Sequence, residues 1–195
     1  MLKSLNSRYE KRFPLVAFLL LWVLFQCILA EATTVEKLSL EEMTRRSRRI
    51  VVGRCISTES RWNEKNTLIL TFSKFSVSED LKGESGGWIT VMTVGGTVNG
   101  VTQNVAGTPQ FAADEEVVLF LESSKSSQWQ PVGLSQGRFR ILRESRTGQQ
   151  EVVHDLSGLE LYDTSTRAAS GPQKPYRMPL ESFLGRVRNL IQTQK

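Results

Sequence analysis

The sequence predicts a mainly β domain, a small barrel of bent strands, with one helix before it and an amphipathic helix after it. Three observations carry that prediction. Between residues 50 and 154, short apolar or alternating segments recur, separated by Gly, Asn, Pro and Ser turns. Apolar positions Leu68, Leu70 and Phe72 give way to Phe75 and Val77, a switch of parity inside one segment. Clear helix signals are confined to the stretch after Ser39 and the stretch after Pro179.

The chain has 195 residues, room for one domain with appended helices, and its 39% apolar and 23% charged content argues against wholesale disorder. The N-terminus departs from that average. Lys3, Arg8, Lys11 and Arg12 precede an apolar run over 13–30 that closes on Ala30-Glu31-Ala32. A basic segment, an apolar core and small residues at peptidase spacing describe a secretory signal peptide, 1–32, with cleavage expected after Ala32. An uncleaved anchor is the other reading, since the run is nearly long enough to span a bilayer.

Removing this segment takes away four basic and two acidic residues, leaving 21 against 18, so the net charge drops from +5 to +3. That is too mild a balance to imply a nucleic-acid partner. Cys27 departs with the signal and Cys55 remains alone, which excludes an intramolecular disulfide in the processed chain. Within the apolar run 50–56, Cys55 reads as a buried, inert thiol.

The elements follow in order. Ser39 and Glu42 form a capping box, and Leu38 with Met43 has the spacing of a hydrophobic staple. The helix is expected to continue through Arg45, Arg46, Arg48 and Arg49 as a solvated basic end, with an anionic-surface contact or a dibasic processing site as alternatives. Residues 50–57 form the first strand. The parity switch places a bulge near Ser73-Lys74, the mark of a long bent barrel strand, unless that strand is buried on both faces. A turn over 82–87 leads to a strand over 88–94, then a glycine-rich loop runs to Pro109. Residues 117–121, wholly apolar, read as a central strand. Strands over 129–134 and 137–142 follow, and 151–154 pairs as a hairpin across Thr147-Gly148. Residues 33–162 thus form the barrel domain with its leading helix, 163–178 a linker broken by Pro and Gly, and 179–195 a terminal helix. In that helix Leu180, Phe183, Leu184, Val187, Leu190 and Ile191 share one face, which docks on its own domain or, alternatively, on a partner or a membrane.

Several fragments imitate chemistry. Arg49-Ile50-Val51-Val52-Gly53 and Gly83-Glu84-Ser85-Gly86-Gly87 resemble a trypsin-like activation site and nucleophile segment. His154 is the sole histidine and follows Ser85, the reverse of the chain order that fold requires, so the likeness is rejected. One histidine and one cysteine far apart supply no ordinary zinc site, the acids show no EF-hand spacing, and no cofactor motif is present. Gly95-Gly96-Thr97-Val98-Asn99-Gly100 lacks the Lys-Ser/Thr of a phosphate loop. Asp114-Glu115-Glu116 reads as a solvated turn guarding the apolar strand that follows. Trp62, in a polar stretch, either caps one barrel end or contacts a ligand.

From Leu38 to about Leu142 the chain resembles a group of exported bacterial proteins of unassigned activity. The segments that carry this are Ile50-Val51-Val52-Gly53-Arg54, Glu59-Ser60-Arg61-Trp62, Asp80-Leu81-Lys82-Gly83, Val94-Gly95-Gly96-Thr97, Gly107-Thr108-Pro109-Gln110-Phe111, Glu115 through Leu121, and Gly133 through Phe139. Their order is also similar to the netrin-like (tissue-inhibitor-of-metalloproteinase-like) module, an OB-type barrel. That likeness implies the barrel; the family's inhibitory mechanism, through a disulfide-held N-terminal cysteine, has no counterpart in the processed chain.

The resulting expectation is an exported, periplasmic or extracellular, non-catalytic binding module for a protein or an extracellular polymer. Trp62, Gly95, Gly96 and Asn99 are its candidate contacts, and neither metal nor cofactor is implied. Membrane contact is expected only through an uncleaved signal or the terminal helix. The alternative is a carboxylate-dependent hydrolase of cell-envelope or extracellular polymer, which requires a cleft with two convergent acids, one of raised pKa.

Overall fold

The computed structural model describes residues 35–124, 127–144, 146–156, 159–170 and 174–194. The expected signal peptide, Cys27 included, lies outside the described residues.

The fold is mainly β, a partly closed barrel with a short helix near the N-terminus and a longer helix at the C-terminus. After β1 (Val35–Glu36) comes α1 (Leu40–Arg46), opened by the expected capping box: Ser39 Oγ accepts the Glu42 N–H and Glu42 accepts the Ser39 N–H. The helix stops at Arg46, earlier than expected. Ser47 is extended, and Arg49 already starts β2 (Arg49–Trp62), paired with Leu121. Arg49 is not a solvated helix end. It is buried and donates from Nε and Nη2 to Asp80 Oδ1 at 3.0 and 2.8 Å. A guanidinium this deep needs such a fork of bonds to a carboxylate.

β2 pairs antiparallel with β3 (Ile69–Lys82) along nearly its whole length, with three register shifts. Ile56 is the unpaired extra residue on β2; Ser78 and Leu81 are skipped on β3. The bulge expected near Ser73-Lys74 is present but carried by the partner strand: Cys55 pairs with Phe75 and Ser57 with Lys74, so Ile56 bulges there while β3 keeps one parity. The buried row of β3 is continuous through Ile69, Ser73 and Phe75, while Leu70 and Phe72 lie half-buried on the other face, Phe72 beneath the Arg61 guanidinium at 4.2 Å. Both faces carry apolar side chains, so the alternation alone misplaced the inner one.

β4 (Trp88–Val94) pairs with β3, and β7 (Glu116–Ser123) pairs with β2. The ring closes through β8 (Trp129–Pro131), antiparallel to the end of β7 and joined to β4 by a single parallel pairing, Val91 with Trp129. The first half of β7 instead pairs with β9 (Arg138–Arg143), which leads to β10 (Gln150–His154) and β13 (Tyr176–Pro179). β7 therefore sits where the sheet forks.

That position explains its composition. Odd residues Val117, Leu119 and Leu121 enter the barrel interior with Val51, Cys55, Phe75 and Phe111, whereas even residues Val118 and Phe120 face a second core. This second core contains Met43 of α1 and Leu180, Phe183, Leu184 and Val187 of α2 (Leu180–Thr193). The apolar stripe of α2 thus docks on its own domain.

Two segments expected without regular structure contain strands. Within the glycine-rich loop, β5 (Gly96–Val98) and β6 (Val101–Gln103) form a hairpin. Its turn, Asn99-Gly100, has φ of 50° and 79°, the left-handed pair that a tight two-residue hairpin requires. Residues 163–178, expected as a linker, contain β12 (Ala168–Ser170), which pairs with β11 (Leu161–Asp163), and most of β13. These strands are only three or four residues long and lie between turn residues, so the glycine and proline signals dominate the local pattern.

Candidate functional site

The far halves of β2 and β3 carry the β5–β6 hairpin, and between hairpin and barrel lies a cleft of about 490 Å³. None of its sixteen lining residues is charged, so what it offers is hydroxyl and amide groups around small apolar patches. Thr58, Ser60, Thr71, Thr93 and Thr108 supply hydroxyls, and Gln103, Asn104 and Gln110 supply amides. Some of these groups hold the hairpin in place. Ser60 Oγ and Thr71 Oγ1 share a hydrogen bond at 2.8 Å, Thr71 donates to the Gly95 carbonyl at 2.6 Å, and Gln103 Oε1 accepts the Ile69 N–H at 2.7 Å. Others remain available: the Thr108 hydroxyl is buried without a hydrogen-bond partner, and Asn104 and Gln110 are exposed.

Of the four candidate contacts, the structure brings two into this cleft. Gly95 and Gly96 line it. At Gly96, with φ of 134°, an added Cβ would stand 2.4 Å from both Ser60 Oγ and Thr71 Oγ1. Glycine is thus required there for close approach of the hairpin to the barrel. Asn99 sits exposed at the hairpin tip and Trp62 half-buried at the end of β2, opposite Ile69; neither lines the cleft. The hydroxyl and amide residues escaped the sequence reading because they are scattered over 58–110 and converge only through strand pairing.

The acidic run 114–116 lies in a more open groove of about 770 Å³ with Arg54, Arg138 and Arg140. Glu115 is not part of a solvated turn. Its side chain is only 9% exposed, ion-paired with Arg138 and with Arg140 at 3.2 Å, and it accepts the Ala112 N–H at 3.0 Å. Glu116 pairs with Arg54 at 2.6 Å. Carboxylates held this way brace the mouth of β7. Outside the groove, the carboxyls of Glu42 and Asp163 are held below the usual range. The Ser39 backbone bond lowers the first and the Ser165 hydroxyl the second.

Ser85 occupies the exposed β3–β4 turn, which is fastened by Arg49 donating to the Gly86 carbonyl at 3.1 Å and by Asp80 accepting the Gly86 N–H at 3.2 Å. His154 lies on β10, with β9, β7 and β2 between it and β3 in the sheet. The protease-like segment is therefore a turn that covers a buried ion pair. Cys55 is fully buried, and desolvation raises its thiol pKa, as suits an inert core residue. Among the described residues, no cluster of His, Cys, Asp and Glu has metal-binding geometry, and no helix is long and apolar enough to cross a membrane. No protein-family model matches the chain, and no curated protein matches it significantly.

Proposed function

We propose that this chain is an exported, non-catalytic binding module that contacts a protein or an extracellular polymer through the hairpin cleft. The observation that carries this reading is the uncharged lining, hydroxyls and amides surrounding Val94, Val105 and Phe111. Such a surface pairs with neutral donors and acceptors and gains little from a charged ligand, whose desolvation it would not repay. Among candidate ligands, a neutral polyhydroxylated chain matches it best, because each sugar unit presents hydroxyls beside apolar C–H faces.

The test is retention of the purified chain on neutral polysaccharides and on immobilised exported proteins, compared across variants. Asn104→Ala combined with Gln110→Ala, both at exposed positions, is expected to weaken retention at least tenfold. Trp62→Ala is expected to leave it unchanged. Absence of retention on every matrix, or retention indifferent to the double variant, would overturn the reading.

A further inference from the structure

A separate cavity of about 290 Å³ opens where α1, β9, β10 and α2 meet. Its wall is apolar: Met43, Phe139, Leu161 and Phe183 line it, and all four are buried. The polar groups on its floor are already engaged. Fully buried Gln136 accepts the Leu38 N–H at 2.8 Å and donates to the Glu36 carbonyl at 2.8 Å. The His154 ring stacks on Phe139, centroids 3.9 Å apart, and donates from Nε2 to the Gln136 carbonyl at 2.9 Å. Burial pushes its pKa down to about 4, so at neutral pH the ring is uncharged and adds no cation to the floor.

The remaining lining has one sign of charge. Lys37, Lys174 and Arg186 stand on this cavity, and no carboxylate among the described residues lines it. Lys37 shares its charge with Asp163 at 3.6 Å. Lys174 and Arg186 are exposed and have no ion-pair partner among the described residues. An apolar interior with unspent cations and no free donor at its floor selects a molecule with an apolar tail and an anionic head, and fixes which end enters. The volume falls at the small end of ligand pockets, which run from about 300 Å³ upward, so the tail is short.

We propose that this cavity binds an anionic amphiphile, a medium-chain carboxylate, with its tail against Phe139 and Phe183 and its acid group at Lys174 and Arg186. The site is independent of the hairpin cleft, so either reading can fail without the other.

The experiment is isothermal titration of the full chain with sodium octanoate, set against 1-octanol, acetate and octyltrimethylammonium. Octanoate is expected to saturate one site at least tenfold more tightly than any of the three controls. Shortening the tail to hexanoate is expected to weaken binding by up to about fourfold per methylene. Lys174→Gln combined with Arg186→Gln changes only exposed side chains, so it keeps the fold, and it is expected to bring octanoate down to the level of octanol. Leu156→Trp, which fills the cavity from its half-buried edge, is expected to abolish binding of both. No saturable binding of octanoate, equal affinity for octanol, or octanoate affinity unchanged in the double variant would overturn the proposal.

Discussion

The two halves of the β2–β3 ribbon are built by different forces. The half that begins at Ile50 and ends at Leu81 is covered by helices and joins a core of Phe120, Phe139, Phe183, Leu184 and Val187. The half around Ser60 and Thr71 is covered by a three-residue-per-strand hairpin, held through hydroxyl and amide bonds and a glycine contact. Apolar burial is strong and nondirectional, so the first half can support a cavity without losing its structure. Hydrogen bonds contribute less each and depend on angle, so the second half offers a polar, more readily opened surface. Apolar packing and a hydrogen-bonded polar surface are thus divided along one pair of strands.

Breaking this division begins with Phe183, which packs edge-on against Phe120 at 6.4 Å and lies tilted against Phe139 at 4.6 Å. Phe183→Ala is expected to cost about 3–5 kcal/mol in chemical denaturation. A cost under about 1 kcal/mol would mean that the helical half is not the stabilising one.

The next effect is pH-dependent and belongs to the same half. Burial lowers the His154 pKa from its ordinary 6.5 to about 4. Between these values the unfolded chain binds the proton and the folded one does not, so stability falls as pH drops from about 6.5 to about 4. The loss attributable to this ring is about 3 kcal/mol. Denaturation measured across that range is expected to be flatter in His154→Gln by that amount. An identical pH slope in the two proteins would show that the ring titrates normally in the folded state.

The smallest effect sharpens the comparison from the hairpin side. Thr71→Val removes the bonds to Ser60 and Gly95 while keeping side-chain shape, and is expected to cost about 1 kcal/mol. Amide exchange of Val98 and Val101 is expected to accelerate in this variant, with the α2 amides unaffected. Uniform acceleration across both halves would show that the ribbon opens as one unit.

Much of the architecture follows from local sequence. The Ser39–Glu42 box is self-contained within four residues, and the stripe of α2 has a period that only a docked helix explains. The wholly apolar run 117–121 announced a strand covered on both sides, which the fork of the sheet at β7 accounts for. Where long-range pairing competes with local signals, the reading departs from the structure. Arg49 looked like part of a basic helix end because its partner Asp80 is 31 residues away. The parity of β3 was misassigned because both of its faces carry apolar side chains. The 163–178 segment, rich in breakers, becomes strand by adding to edges that other segments supply.

The candidate sites divide the same way. Gly95 and Gly96 were legible, since a glycine pair after a strand marks a backbone that must turn or approach another closely. The hydroxyls of the cleft and the cations of the cavity were not, because Ser, Thr, Lys and Arg are common on any surface and gain meaning only by convergence. Sequence by itself determined where the helices begin, the strand-rich class and the single cysteine of residues 33–195, all properties of local pattern or composition. Only the tertiary structure decided which residues share a cleft. Convergence of Thr58 with Gln110, or of Lys37 with Arg186, is created by strand order and helix docking, and leaves no trace in local periodicity.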